Sequence, residues 1–129
     1  MNCGDTLLIP APGSGPISHL WIIVTKPCPT THRCVLAHIT TLRNAQDQTV
    51  TLGPADHPFI RHQSAIRYSD AQIADVRTLR HDLAAGIVVA HKPCSPATIG
   101  LVQAGILASP YTPKKIQTFC QELWRLHGR

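Results

Sequence analysis

His19-Leu20-Trp21-Ile22-Ile23-Val24-Thr25 and Cys34-Val35-Leu36-Ala37-His38-Ile39-Thr40-Thr41, set apart by a Pro-broken stretch, decide the fold class of this chain. The first run is β-branched and aromatic, apolar at odd and even positions alike, and stops at Lys26-Pro27. That pattern is a strand buried on both faces. In the second run Val35, Ala37 and Ile39 make one uniformly apolar face, while Cys34, Leu36, His38 and Thr40 make the other. Two such strands in succession begin a sheet.

Upstream, Ile9 to Pro16 alternates fixed and permissive backbone angles and is a loop by composition. Downstream, Asn44-Ala45-Gln46-Asp47 is a turn before a short strand, Thr49 to Leu52. Gly53 to Pro58 breaks regular structure, and Ser64-Ala65-Ile66-Arg67-Tyr68 then alternates with Ser64, Ile66 and Tyr68 on one face. The segment 71–83 fits two patterns. Ser69-x-x-Gln72 resembles a capping box ahead of a helical stripe of Ile73, Val76, Leu79 and Leu83, yet 72–77 also alternates like a strand. Ile87 to Ala90 is a short β run. Ser95 and Pro96 open a helix to about Ala108, burying Ile99, Val102 and Ile106. Thr112 and Pro113 open another, with a stripe of Ile116, Phe119, Cys120, Leu123 and Trp124 ended by Gly128. The expected class is α+β: a small antiparallel β-barrel or curled sheet with C-terminal helices. One domain over 1–129 is expected, with the barrel at about 4–91 and the helical part at about 95–127.

Length and charge bound the function. At 129 residues the chain fits one compact domain, and 43% hydrophobic residues exclude wholesale disorder. The longest apolar run, Leu20 to Val24, is far short of a membrane span, and Met1-Asn2-Cys3-Gly4-Asp5 lacks a secretory pattern, so a soluble cytoplasmic protein is expected, with no membrane partner. A net charge of +5 fits a polyanionic partner, and equally a protein that keeps its charge away from zero for solubility. Five scattered cysteines without a CxxC are expected to be free and mostly buried. Cys28, His32, Cys34 and His38 match no standard zinc spacing, and ligands in a row along one strand face cannot close a tetrahedron. Neither a metal nor a cofactor is expected.

Histidine is the residue that points to chemistry, with eight copies. His32, His81, His91 and His127 fall at element ends or exposed positions and receive no role. The run Asp56-His57-Pro58-Phe59-Ile60-Arg61-His62-Gln63-Ser64 puts two imidazoles, a guanidinium and a hydroxyl at a loop-to-strand junction. Proton transfer on a phosphodiester uses these groups: imidazoles that titrate near neutrality, and a cation for the developing charge. The competing possibility for His57 is a rigid turn whose ring caps backbone groups.

Three stretches resemble the MazF/PemK-like toxin family. They are Gly4-Asp5-Thr6-Leu7-Leu8-Ile9-Pro10 with the loop and strand that follow it, Cys34 to Thr41, and Ser64 to Leu79 with its hydroxyl residue, apolar pair and Gln72-Ile73. The likeness runs over about residues 4–80 and implies a small barrel and strand for 71–78. It also implies an endoribonuclease of a toxin–antitoxin system that cuts RNA without metal, with RNA, a cognate antitoxin and a second copy of the chain as partners. His19 stands where the family has an arginine, so the cation is expected from Arg61 or Arg43. Catalytic candidates are His19, Thr40, His57, His62 and Ser64, and nucleic-acid-binding candidates are Arg43, Arg61, Arg67 and Tyr68. His19 begins one strand and Thr40 closes the next, so an antiparallel pair puts both at one sheet edge, with the 53–60 loop folded over it to supply His57. The alternatives are a non-catalytic nucleic-acid- or protein-binding module and a structural subunit of a larger assembly. Trp21 and Trp124 belong to the core by their context, which leaves Tyr68 and Tyr111 as rings for base stacking.

Overall fold

The computed structural model describes residues 1–11 and 18–129, so most of the Pro- and Gly-rich loop expected over 9–16 lies outside the described residues. Six strands form one antiparallel sheet: β1 (Thr6–Pro10), β2 (Ser18–Ile23), β3 (Arg33–Thr41), β4 (Thr51–Leu52), β5 (Ser64–Asp75) and β6 (Val89–His91). Their order is β4-β5-β3-β2-β1-β6, and the sheet curls into a half-barrel. Three helices, α1 (Val76–Ala84), α2 (Pro96–Ala108) and α3 (Lys114–His127), complete an α+β fold.

The alternation in β2 and β3 is what gives the sheet two covered faces. Leu20, Ile22, Val24, Val35, Ala37 and Ile39 pack with Val102 and Ile106 of α2 and Ile116 and Cys120 of α3. On the opposite face Ile23, Cys34 and Leu36 pack with Leu7, Val88 and Leu79 of α1. Phe119 is only half-buried against the first core, so α3 is anchored by Ile116, Cys120 and Leu123. Cys34 and Cys120 are buried, Cys94 is half-buried, and all three thiols are free.

Four local expectations are corrected. The strand expected to run through 78 ends at Asp75, because Arg33, opposite Asp75, is the first residue of β3 and no partner lies beyond it. Val76 instead donates its N–H to His32 O, and Asp75 caps α1 by accepting from Arg77 N. Ser69 to Gln72 forms no capping box: it sits where the β3–β5 register shifts between Leu36 opposite Gln72 and His38 opposite Arg67, as a bulge in β5. Of the strand expected at 49–52 only Thr51–Leu52 pairs. Ser95 caps α2 through Thr98 N as expected, but Thr112 does not cap α3: its hydroxyl is buried without a partner and Pro113 holds the N-cap position.

Candidate functional site

The β2–β3 register sets Trp21 opposite His38; continued by two residues, it brings His19 level with Thr40 at one end of the sheet. There the chain from Pro58 to His62 leans over the strand ends, and β6 contributes His91 because β1 pairs it to Thr6. The result is an open cleft of about 800 Å³. Its walls carry His19, Thr40, Arg61, His62 and Ser64, five residues nominated from the sequence, together with His91, Asn44 and Phe59. No carboxylate lines it among the described residues.

The imidazoles differ in what holds them. Burial, and secondarily the neighbouring His38 ring, pushes His19 below the ordinary histidine pKa, so it is neutral and able to accept a proton near pH 7. The two rings lie 4.6 Å apart by centroid. Buried His38 has Nε2 2.9 Å from Asp70 Oδ2 and Nδ1 3.1 Å from Ile39 O, so both ring nitrogens are engaged. The β5 bulge is what turns Asp70 towards His38, and Arg67 Nε forms an ion pair with the same carboxylate oxygen at 3.1 Å. His91 Nδ1 accepts from Lys92 N at 2.8 Å, which leaves Nε2 for the cleft. Ser64 is buried and donates its hydroxyl to His62 O at 2.9 Å, stiffening the turn into β5.

His57 is outside the cleft wall, at 3% exposure. Its Nδ1 accepts from Phe59 N at 3.1 Å and its Nε2 donates to Lys92 O, so both ring nitrogens are spent on main chain. Thr6 Oγ1 donates to the same carbonyl at 2.6 Å. Burial pushes the His57 pKa down, in keeping with a fixed neutral tautomer. Asp56 does not orient the ring: it accepts from Gly53 N at 2.7 Å. Of the two possibilities weighed for His57, the geometry is that of the backbone-capping turn.

Three other nominated residues lie apart. Arg67 lines a smaller hollow beside Thr40 and Asn44, outside the cleft. Tyr68 is fully buried and donates its hydroxyl to Val102 O at 2.8 Å, because the face it shares with Ile66 is the one under α2; it offers no ring to a base. Arg43 lines a neighbouring depression with His62. His91 is the residue that sequence reasoning passed over. It joins the cleft by pairing with β1, about 85 residues away in the chain, and no local pattern signals that. Among the described residues no three His, Cys, Asp or Glu side chains gather where they could hold a metal ion. No helix among them is long and apolar enough to cross a membrane. No protein-family model, curated protein or solved structure matches the chain.

Proposed function

We propose that the chain is a metal-independent endoribonuclease of the MazF/PemK toxin type, acting on single-stranded RNA and held in check by a cognate antitoxin. The observation that carries this reading is a cleft with three imidazoles and a guanidinium and, among the described residues, no carboxylate. A site so composed has proton donors and acceptors and a cation for a phosphodiester, and charge neutralisation falls on Arg61. Neutral His19 takes the proton from the RNA 2′-hydroxyl as its oxygen attacks the adjacent phosphorus. The P–O5′ bond breaks, and His62, exposed at the rim, gives its proton to the departing 5′-oxygen. The products are a 2′,3′-cyclic phosphate and a 5′-hydroxyl end. Thr40 and Asn44, which line the same cleft, hold the sugar–phosphate chain in this reading.

An end-labelled single-stranded RNA incubated with the purified protein in excess EDTA tests this. Cleavage to cyclic-phosphate ends is expected, and His19→Gln should lower kcat by ~10²–10⁴-fold with the fold intact. The acid limb of the rate profile should have its midpoint below ~6.5, the ordinary histidine value, as the lowered pKa of His19 requires. RNA that is bound and left uncut would instead assign a non-catalytic binding module.

A further inference from the structure

Thr40 and Asn44 have a second side. Both also form the near wall of a smaller hollow of about 300 Å³, completed by Ala45, Gln46, Asp47, Arg67, Ser69 and Tyr111. We infer that this hollow is a nucleobase subsite, which receives the base of a nucleotide next to the scissile phosphate. The inference rests on the RNA-cleaving reading of the adjoining cleft for its choice of ligand.

Four observations carry it. The volume is that of a small-ligand pocket, and it shares a wall with the cleft, so a chain seated in one can place its next unit in the other. Tyr111 is 44% exposed, one of few large apolar side chains left uncovered, and an aromatic face is what a base stacks on. Asn44 and Gln46 present exposed amides, each with donor and acceptor, the groups that read a base edge. Arg67 stands at the margin, its Nε paired with Asp70 and its terminal nitrogens suited to a phosphate.

The hollow is also built from within. Buried Asp47 accepts from Thr49 N at 3.0 Å and Thr49 Oγ1 at 2.7 Å through Oδ1, and from Ser109 Oγ at 2.6 Å through Oδ2. Ser109 Oγ in turn accepts from Tyr111 N at 3.1 Å. One carboxylate thus ties the 44–49 loop to the turn after α2 and fixes the Tyr111 backbone against the wall that bears the amides. Its oxygens are occupied by protein donors, which orients the carboxylate into the protein and leaves the ring and the amides as the groups offered to a base.

The test uses fluorescein-labelled 2′-O-methyl hexanucleotides, which lack the attacking hydroxyl and report binding alone by anisotropy. The base-bearing oligomer is expected to bind more tightly than one with an abasic unit at the position flanking the cleft. Tyr111→Ala should weaken it at least about fivefold, with Tyr111→Phe close to wild type, since stacking uses the ring and not the hydroxyl. Asn44→Ala should alter the preference among the four bases at that position. Binding indifferent to the abasic unit or to Tyr111→Ala overturns the subsite, as does wild-type protein that binds no oligomer. Base-dependent binding without cleavage of ordinary RNA would sink the nuclease reading and leave the subsite standing.

Discussion

His57 shows how a residue with the composition of a catalyst is used as masonry. Its two nitrogens join Phe59 N–H and Lys92 C=O across the chain, and removing the ring leaves Phe59 N–H unpaired and Lys92 C=O with Thr6 Oγ1 as its donor. His57→Ala should therefore cost ~1–3 kcal/mol in chemical denaturation. His57→Gln, which keeps one acceptor and one donor, should retain most of that stability and full RNA cleavage; a large loss of kcat with the fold intact would return His57 to the chemistry. A second residue-scale contrast lies among the thiols. Burial pushes Cys34 and Cys94 up to about 11 and Cys120 up to about 12, whereas the hydroxyls of Thr30 and Thr31 bring Cys28 down to about 6. Iodoacetamide at pH 7 should label Cys28 first by a wide margin, as mass spectrometry of the native protein will show. Even labelling would contradict the thiolate at Cys28.

At the scale of elements, the contact between α2 and β5 depends on one absent side chain. A Cβ at Gly105 would collide with Tyr68 Oη and with Val50 Cγ2. Mid-helix glycine ordinarily costs ~1 kcal/mol against alanine, so its presence in α2 is explained by this approach and not by helix propensity. Gly105→Ala should destabilise by ~1–3 kcal/mol, the usual penalty of overpacking, although it improves the isolated helix. Thermal unfolding will show this as a lower Tm, and Tyr68→Phe in the same chain should relieve part of it. An unchanged Tm would mean that α2 can shift away from the sheet freely. The β5 bulge is the other element-scale device, since it lets one strand bury Tyr68 on one face and turn Asp70 to His38 on the other.

For the molecule as a whole, His19 and His57 both have pKa values lowered in the fold, mainly by burial. The unfolded chain, with histidines near ~6.5, then binds more protons than the folded one as pH falls below that value. Stability is full above ~6.5 and declines as pH drops towards the lower folded values. Asp75, held at about 2 by Arg77, acts in a separate window below its ordinary 3.8. Denaturant midpoints should fall between pH 7.5 and 5.5, and His57→Gln should flatten the decline. A pH-independent midpoint over that range would refute the coupling.

What the sequence determined by itself was local and periodic. Strands at 19–25 and 34–41 follow from apolar alternation, the start of α2 from Ser95-Pro96, and the stripe of α3 from Ile116, Cys120 and Leu123. The nearness of His19 and Thr40 followed as well, because antiparallel succession alone puts a strand's start beside its neighbour's end. Tertiary structure decided the rest, for reasons that no neighbouring residue carries. Strand β5 ends at Asp75 because its partner does, His91 enters the cleft by pairing with β1, and His57 turns inward to bridge Phe59 N–H and Lys92 C=O. Tyr68 and Tyr111 are the same residue type with opposite exposure, since only the packing of α2 determines which ring it covers. Periodicity is a property of the chain, but which groups meet across long separations depends on which surfaces are buried together.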